Sequence, residues 1–211
     1  MYQIILYELT GWIQFVDSLN EDAARAISNI LSLPFIASAV VIMFSFFSPE
    51  AFGPVLTPVE RSLLGIALIA VAPIALVLYL LARDRIDVHR SDEERPPVFF
   101  LPPVVAYGFA AIVFGMSGCT TLYLLSTAYL LITFVVLIVT LFWRISIHMA
   151  GLMAPITALI LVFGMQYSPL YLLAVPLAWA RTELRAHTLP QVVLGAVVGV
   201  VTTTIVYAKL I

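Results

Sequence analysis

The sequence is poor in charged residues, in cysteine and in net positive charge. Charged side chains make up 10% of the 211 residues and hydrophobic ones 63%, whereas a soluble domain carries about 25% charged residues. This shortage excludes an ordinary soluble protein and indicates a polytopic membrane protein. The net charge of −2 gives no basis for expecting a nucleic acid partner. The single cysteine, Cys119, excludes an intrachain disulfide.

The N-terminal stretch lacks the basic segment followed by an apolar run that marks a secretory signal. Its apolar residues recur at helical spacing from Tyr2 to Leu19, with acidic residues on or near the opposite face. This pattern predicts an amphipathic helix over residues 1–25, lying at the membrane surface or packed on a helix bundle. No shift of composition marks a further domain, so we predict that residues 26–211 form a single transmembrane domain.

Charge-free runs locate the membrane spans, because a helix needs about 20 apolar residues to cross the hydrocarbon core. Two of these runs are long enough for two crossings each, and they are predicted to turn near Gly115–Gly118 and near residues 164–169. The predicted spans are 27–48, 62–82, two between 96 and 143, two between 145 and 180, and 189–208. The predicted fold class is therefore all-α, a bundle of six or seven transmembrane helices.

Three polar clusters interrupt the apolar runs, at 83–95, 143–148 and 181–191. An even number of crossings separates each pair of clusters, so all three are expected at the same membrane face. The opposite face has only Arg61 and Lys209 as cations. The cations of the cluster face are Arg25, Arg83, Arg85, Arg90, Arg95, Arg144, Arg181 and Arg185. Because cationic loops favour the cytoplasm, we predict that the clusters lie on the cytoplasmic side of the cell membrane.

The first two clusters contain side chains suited to binding an anion. Arg95 precedes Pro96 at the start of a predicted span, where a guanidinium can bind phosphate in a fork. Arg144, Ser146 and His148 lie at the start of an apolar helix, a position that attracts anions. The alternatives are an N-cap role for Ser146 and a purely structural role for His148.

The third cluster contains Arg181, His187 and Gln191, with a bend expected near Pro190. His187 and Gln191 are four residues apart, so they share a helix face if the helix continues. Ionisable groups at membrane depth are costly and are usually functional. Of two histidines at one face, one can attack while the other donates a proton. Because no cluster of metal ligands accompanies them, these residues favour a phosphate handled without a metal or other cofactor.

Three short motifs occur in chain order: "ERPP", "RISIH" and "ARTELRAHTLPQ". They resemble the signatures K-x6-R-P, P-S-G-H and S-R-x5-H-x3-D of the type 2 phosphatidic acid phosphatase superfamily, which also includes the vanadium haloperoxidases. The resemblance covers the chain from about residue 62 to residue 208. The matched residues are Arg95, Pro96, Ser146, His148, Arg181 and His187.

The resemblance implies an integral membrane phosphatase that acts on a lipid phosphate or isoprenyl (di)phosphate monoester through a phosphohistidine. His187 would be the nucleophile, and His148 would protonate the leaving alkoxide. Gln191 would orient the ring of His187 through its amide oxygen, as the family's aspartate does, but without adding a negative charge. The implied ligands of the phosphoryl oxygens are Arg95, Arg181 and Ser146.

The sequence departs from these signatures at several positions. Val88 stands where the first signature has its lysine, and Ile145 and Ile147 replace the proline and glycine of the second. Gln191 replaces the aspartate of the third. Candidates for the missing positive charge are Arg85, Arg90 and Arg144. These departures leave open a catalytically weakened protein that binds a lipid phosphate without efficient turnover.

Two further functions are weighed against these. Asp84, Asp87 and Asp92 resemble an aspartate-rich diphosphate site of a metal-dependent prenyltransferase or phosphotransferase. Such enzymes generally need a second acidic cluster, and the only acidic residue beyond Glu94 is Glu183. A transporter is disfavoured because no internal repeat is visible. The expected partners are thus the lipid phosphate or isoprenyl diphosphate substrate and the surrounding membrane lipids.

Overall fold

The structure, a computed structural model, describes residues 19–49, 55–83 and 100–208. None of these residues forms a β-strand and most are helical, which confirms the predicted all-α class. Four of the described helices are long and apolar enough to cross a membrane: Leu19–Phe47, Pro58–Tyr79, Thr120–Thr140 and Leu189–Tyr207. Two shorter apolar helices are Leu101–Met116 and Ile147–Phe163. These lengths agree with an integral membrane protein.

The helices are named here in chain order. They are α1 (19–30), α2 (Leu33–Phe47), α3 (Pro58–Gly65), α4 (Ala72–Arg83), α5 (Leu101–Met116), α6 (Thr120–Thr140), α7 (Ile147–Phe163), α8 (Ala174–Glu183) and α9 (Leu189–Tyr207). Helix α1 continues past the predicted boundary at residue 25, and α2 follows it after a break at 31–32. Most of the predicted interfacial helix, residues 1–18, lies outside the described residues.

A π-helical turn, Ile66–Val71, joins α3 to α4 in one continuous helix. At its end the Ala72 N–H donates to the Ala67 carbonyl oxygen, five residues back rather than four. Pro73 follows at once, and its ring would crowd the carbonyl four residues back in a regular α-helix. The wider turn accommodates the proline without breaking the helix.

A helix ends at each of the two predicted turns. Helices α5 and α6 are joined by a short turn at 117–119, in which Gly118 has a φ of +69°. Helix α7 ends at Gly164, with a φ of +104°. Both glycines adopt a backbone conformation that other residues rarely enter, so each ends a helix where the chain must leave its axis.

The segment after Gly164 differs from the regular span that was predicted there. A 3₁₀ segment at Met165–Leu173 precedes α8, which has only 10 residues. Pro169 and Pro176 lack the N–H that an α-helical ladder needs, so one continuous α-helix is disfavoured. Pro176 is tolerated because it lies in the first turn of α8.

Helix α7 is the central helix of the bundle. Every residue from Met149 to Ile160 is buried, as expected for a helix that is apolar on all sides, and α7 contacts α2, α6, α8 and α9. It runs parallel to α9, since Gly195 lies against Ser146 and Gly199 lies against Ala150. The two helices therefore begin at the same end of the bundle, which confirms that the second and third polar clusters share one end.

Candidate active site

Ser146 begins α7 and holds it against the start of α9. Its Oγ accepts a hydrogen bond from the Met149 N–H at 3.3 Å, the geometry of an N-cap. Its own N–H donates to the Gln191 backbone carbonyl oxygen at 3.1 Å. Ser146 is fully buried. Its hydroxyl thus has the capping role considered from the sequence, and contact with a phosphate stays a prediction.

Between α8 and α9 the chain makes a tight turn that places His187 outside both helices. The Arg181 carbonyl oxygen accepts from the N–H groups of Ala186 and His187, each at 3.2 Å. Arg185 has a φ of +51°, a left-handed conformation that reverses the chain. The helix does not continue through this turn, so the condition under which His187 and Gln191 would share one helix face is not met.

Gln191 closes a capping box at the start of α9. Its Oε1 accepts from the Thr188 N–H at 2.9 Å, and the Thr188 side chain accepts from the Gln191 N–H in return. Pro190 lies in the first turn of α9, so the predicted bend is found just before it. The Gln191 oxygen is therefore engaged in starting a helix, and its orienting role toward His187 stays a prediction.

The capping box predicts a stability effect that is independent of catalysis. We expect Gln191→Ala to lower the free energy of unfolding by about 1 kcal/mol, because the Thr188 N–H loses its partner. Gln191→Glu should be close to the wild type, since a carboxylate serves the same box and suits a helix N-terminus. Denaturation by sodium dodecyl sulfate in mixed micelles measures both variants. Equal stability of the alanine variant and the wild type would contradict the capping role.

A cavity of about 440 Å³ contains both histidines of the predicted site. His148 and His187 line it together with Arg144, and all three side chains are half-buried. Most of the remaining wall is apolar. It includes Pro34, Ile74, Val77, Phe100, Ile132, Val136 and Ile147. A volume of this size is typical of small-molecule sites.

Arg181 is buried, but it is not among the described residues that line the cavity. Its Nη1 donates to the Ser28 Oγ at 3.3 Å, which links α8 to α1. Arg181 also shapes the turn before α9 through its carbonyl oxygen. Direct contact between this guanidinium and a phosphate stays a prediction.

Arg90 and Arg95 lie in the segment 84–99, outside the described residues. Leu78 and Phe100, which lie on either side of that segment in the chain, both line the cavity. The phosphate-binding roles of Arg90 and Arg95 therefore stay predictions. The same holds for the three aspartates considered as a metal site, which are Asp84, Asp87 and Asp92.

An aromatic pair in the cavity wall was not predicted as part of the site. The rings of Tyr107 and Tyr129 stack with centroids 5.1 Å apart and an interplanar angle of 17°. The Tyr129 hydroxyl donates to the Gly151 carbonyl oxygen at 3.2 Å. Tyr129, Ile132 and Val136 recur at helical spacing, so their common helix face could have been found from the sequence.

Two histidines and an arginine beside an apolar cavity define a site suited to a molecule with an anionic head and an apolar tail. Among the residues that the structure describes, no three His, Cys, Asp or Glu side chains form a group that could hold a metal ion. No protein-family model, curated protein or solved structure matches the chain.

Proposed function

We propose that the protein is an integral membrane phosphatase that hydrolyses a lipid phosphate or an isoprenyl (di)phosphate without a metal. The observation that carries this proposal is the single cavity shared by His148, His187 and Arg144, with apolar walls beyond them. The resemblance of three motifs to the type 2 phosphatidic acid phosphatase superfamily supports the same reaction. The apolar walls suit a hydrocarbon tail, and the arginine suits a phosphate.

The proposed reaction has two phosphoryl transfers. A ring nitrogen of His187 attacks phosphorus, and the bond from phosphorus to the leaving oxygen breaks. With a monoester, protonated His148 gives the leaving alkoxide its proton, and with a diphosphate the prenyl monophosphate leaves. Water then attacks the phosphohistidine, neutral His148 accepts the proton of the water, and inorganic phosphate leaves. Arg144, assisted by Arg95 and Arg181, stabilises the negative charge on the phosphoryl oxygens.

The test is the release of inorganic phosphate by the purified protein in detergent, from phosphatidate and from a prenyl diphosphate, with a metal chelator present. We expect release from at least one of them. No release from either substrate would contradict the proposal. A reaction that requires added magnesium and is abolished by Asp84→Ala would instead support the metal-dependent transferase.

A protein that binds a lipid phosphate with little or no turnover is the second candidate. It is favoured by the engagement of the Gln191 oxygen with Thr188 and of the Ser146 hydroxyl with Met149. The Gln191 oxygen and the Ser146 hydroxyl oxygen both accept backbone hydrogen bonds at helix starts, so their observed roles are structural. Binding of an alkyl phosphonate without turnover of the matching phosphate would support this candidate, and robust turnover would exclude it.

We further propose that the bundle crosses the cell membrane six or seven times. Helix α7 has 17 residues and is about 25 Å long at 1.5 Å per residue. It is shorter than a hydrocarbon core of about 30 Å, but it is buried by its neighbours over most of its length. Its length therefore need not match the lipid, and it can serve as an internal span.

The positive-inside rule orients the proposed bundle with the histidines toward the cytoplasm. In a Cys119→Ser background, we expect a cysteine at the exposed position Arg185 to react with a membrane-impermeant maleimide only after the cells are opened. Reaction on intact cells would reverse the orientation.

A further inference from the structure

The stacked pair Tyr107–Tyr129 lines the cavity at the end that lies farthest from Arg144 along α5 and α6. The turn between α5 and α6 is short, so these helices are antiparallel, and α5 begins where α6 ends. The residues that line the cavity on α6 extend from Thr140, beside the link that carries Arg144, to Tyr129. On α5 the corresponding residues end at Tyr107. Each tyrosine is thus the lining residue farthest from Arg144 on its own helix.

This pair is held rigidly. Tyr107 is 3% exposed and Tyr129 is 1% exposed, and the two rings stack on each other. The Tyr129 hydroxyl is bound to the carbonyl oxygen of Gly151, on the same helix as His148. Displacing Tyr129 would leave a polar group without a partner in apolar surroundings, which is costly. These contacts oppose displacement of the two rings by a longer tail.

The depth of the cavity sets a length for a straight tail. Tyr129 and Thr140 are about 16 Å apart along α6, at 1.5 Å per residue. An extended polypeptide advances about 3.5 Å per residue over three bonds, or about 1.2 Å per bond, and an extended hydrocarbon has similar geometry. A depth of 16 Å therefore holds a chain of about 13 bonds. Three isoprene units or an alkyl chain of twelve to fourteen carbons have this length.

We infer that Tyr107 and Tyr129 form the floor of a tail site and restrict the substrate to a tail of about three isoprene units or twelve to fourteen carbons. The inference rests on the proposed function, because it assumes that the phosphate lies between the histidines. A tail gains little by leaving lipid for an apolar pocket, so discrimination comes from fit. Shorter tails leave voids, and longer ones must bend or displace the stacked pair.

The first experiment compares tails at equal mole fraction in the same micelles. We expect kcat/KM for prenyl phosphates to be highest at three isoprene units and at least about 10-fold lower at six. Tyr107→Ala removes one of the two rings that form the floor, and the optimum should move to four units or more. Tyr123→Ala is the matched control, because Tyr123 lies on α6, is 39% exposed and is not a lining residue. Its optimum should stay at three.

A second experiment does not require turnover. Alkyl phosphonates of eight, twelve, sixteen and twenty carbons are added to the protein, and the rise in its thermal unfolding temperature is measured. We expect the largest rise at twelve in the wild type and at sixteen in Tyr107→Ala. An equal rise for chains of twelve, sixteen and twenty carbons in the wild type would contradict the inference that the two tyrosines limit tail length. The tail would then leave the bundle sideways. If no phosphate were released but the unfolding temperature still rose most with twelve carbons, the proposed function would be contradicted. The limit that the two tyrosines set on tail length would be supported.

Discussion

Phosphate release by a His187→Ala variant is expected to be slower than that of the wild type by about 10⁴-fold or more, the scale of loss when a nucleophile is removed. Alanine cannot form a covalent phosphoryl intermediate, so water would have to attack the substrate directly. The measurement is the initial rate of inorganic phosphate release in detergent, with phosphatidate and a prenyl diphosphate at matched protein concentrations.

The chain supplies a matched control, because it contains three histidines. His89→Ala removes the one that has no role in the proposed reaction, and it should retain the wild-type rate. A wild-type rate in His187→Ala would show that another group is the nucleophile. A loss shared by both variants would point to a general effect of removing histidine rather than to the loss of a nucleophile.

The role of His148 is separable from that of His187 by the choice of leaving group. With an alkyl phosphate, His148→Ala should lose about 10²–10⁴-fold, the usual contribution of a general acid. With an aryl phosphate whose leaving group needs no proton, the loss in kcat/KM, which reports only the first transfer, should be much smaller, although hydrolysis of the phosphohistidine is slowed for both substrates. His187→Ala should lose activity on both substrates. Similar losses in kcat/KM on both substrates for His148→Ala would contradict its role as the acid.

The positions of the turns could be predicted because a physical limit sets them. A span needs about 20 residues whatever its sequence, so long charge-free runs had to turn near Gly118 and Gly164, where φ is positive. The 3₁₀ segment at 165–173 could not be found in this way. In a uniformly apolar stretch, periodicity does not separate one kind of helix from another, and only Pro169 and Pro176 hinted at the change.

Motif spacing selected His148 and His187, and these residues do line one cavity. Spacing alone left open whether the helix continues from His187 to Gln191, and the structure shows that it does not. The sequence from Thr188 to Gln191 is itself a capping-box pattern, with a hydroxyl residue followed three residues later by glutamine. The predicted final span, 189–208, begins at the first residue of α9, and the capping box gives the physical reason for that start.

Contacts between distant segments could not be predicted from the sequence. Arg181 and Ser28 are separated by 153 residues, and no pattern in the sequence indicates that they are in contact. The bond from Tyr129 to Gly151 likewise depends on how α6 packs against α7. These contacts depend on how the helices pack in three dimensions, whereas a motif gives only the spacing of residues along the sequence.

The packing of α7 against α9 explains how the two histidine-bearing segments are held together. A β-carbon on Gly195 would lie 2.5 Å from the Ser146 carbonyl oxygen, and one on Gly199 would lie 2.7 Å from that of Ala150. In lipid, helices associate by close contact of small residues rather than by a hydrophobic force. The two glycines are four residues apart, so they let the α9 backbone approach α7 along one face.

Gly199→Ala is therefore expected to destabilise the protein by about 1–3 kcal/mol, as overpacking of a close contact does. Its β-carbon meets backbone and the Met153 Cβ at 2.9 Å, so no side-chain rotation relieves the clash and α9 must move. Resistance to denaturation by sodium dodecyl sulfate measures the loss. We also expect slower phosphate release, because α9 begins beside the turn that carries His187.

Gly108→Ala is the matched control, because a β-carbon there has no atom within 4 Å apart from its chain neighbours and the nearby backbone of α5. In the interior of α5 it should be neutral or stabilise the protein by about 0.5–1 kcal/mol, since alanine loses less conformational freedom than glycine. If Gly199→Ala were as stable as Gly108→Ala, α9 would be free to shift away from α7. The bond from Ser146 to Gln191 would then not fix His148 and His187 at one end of the cavity.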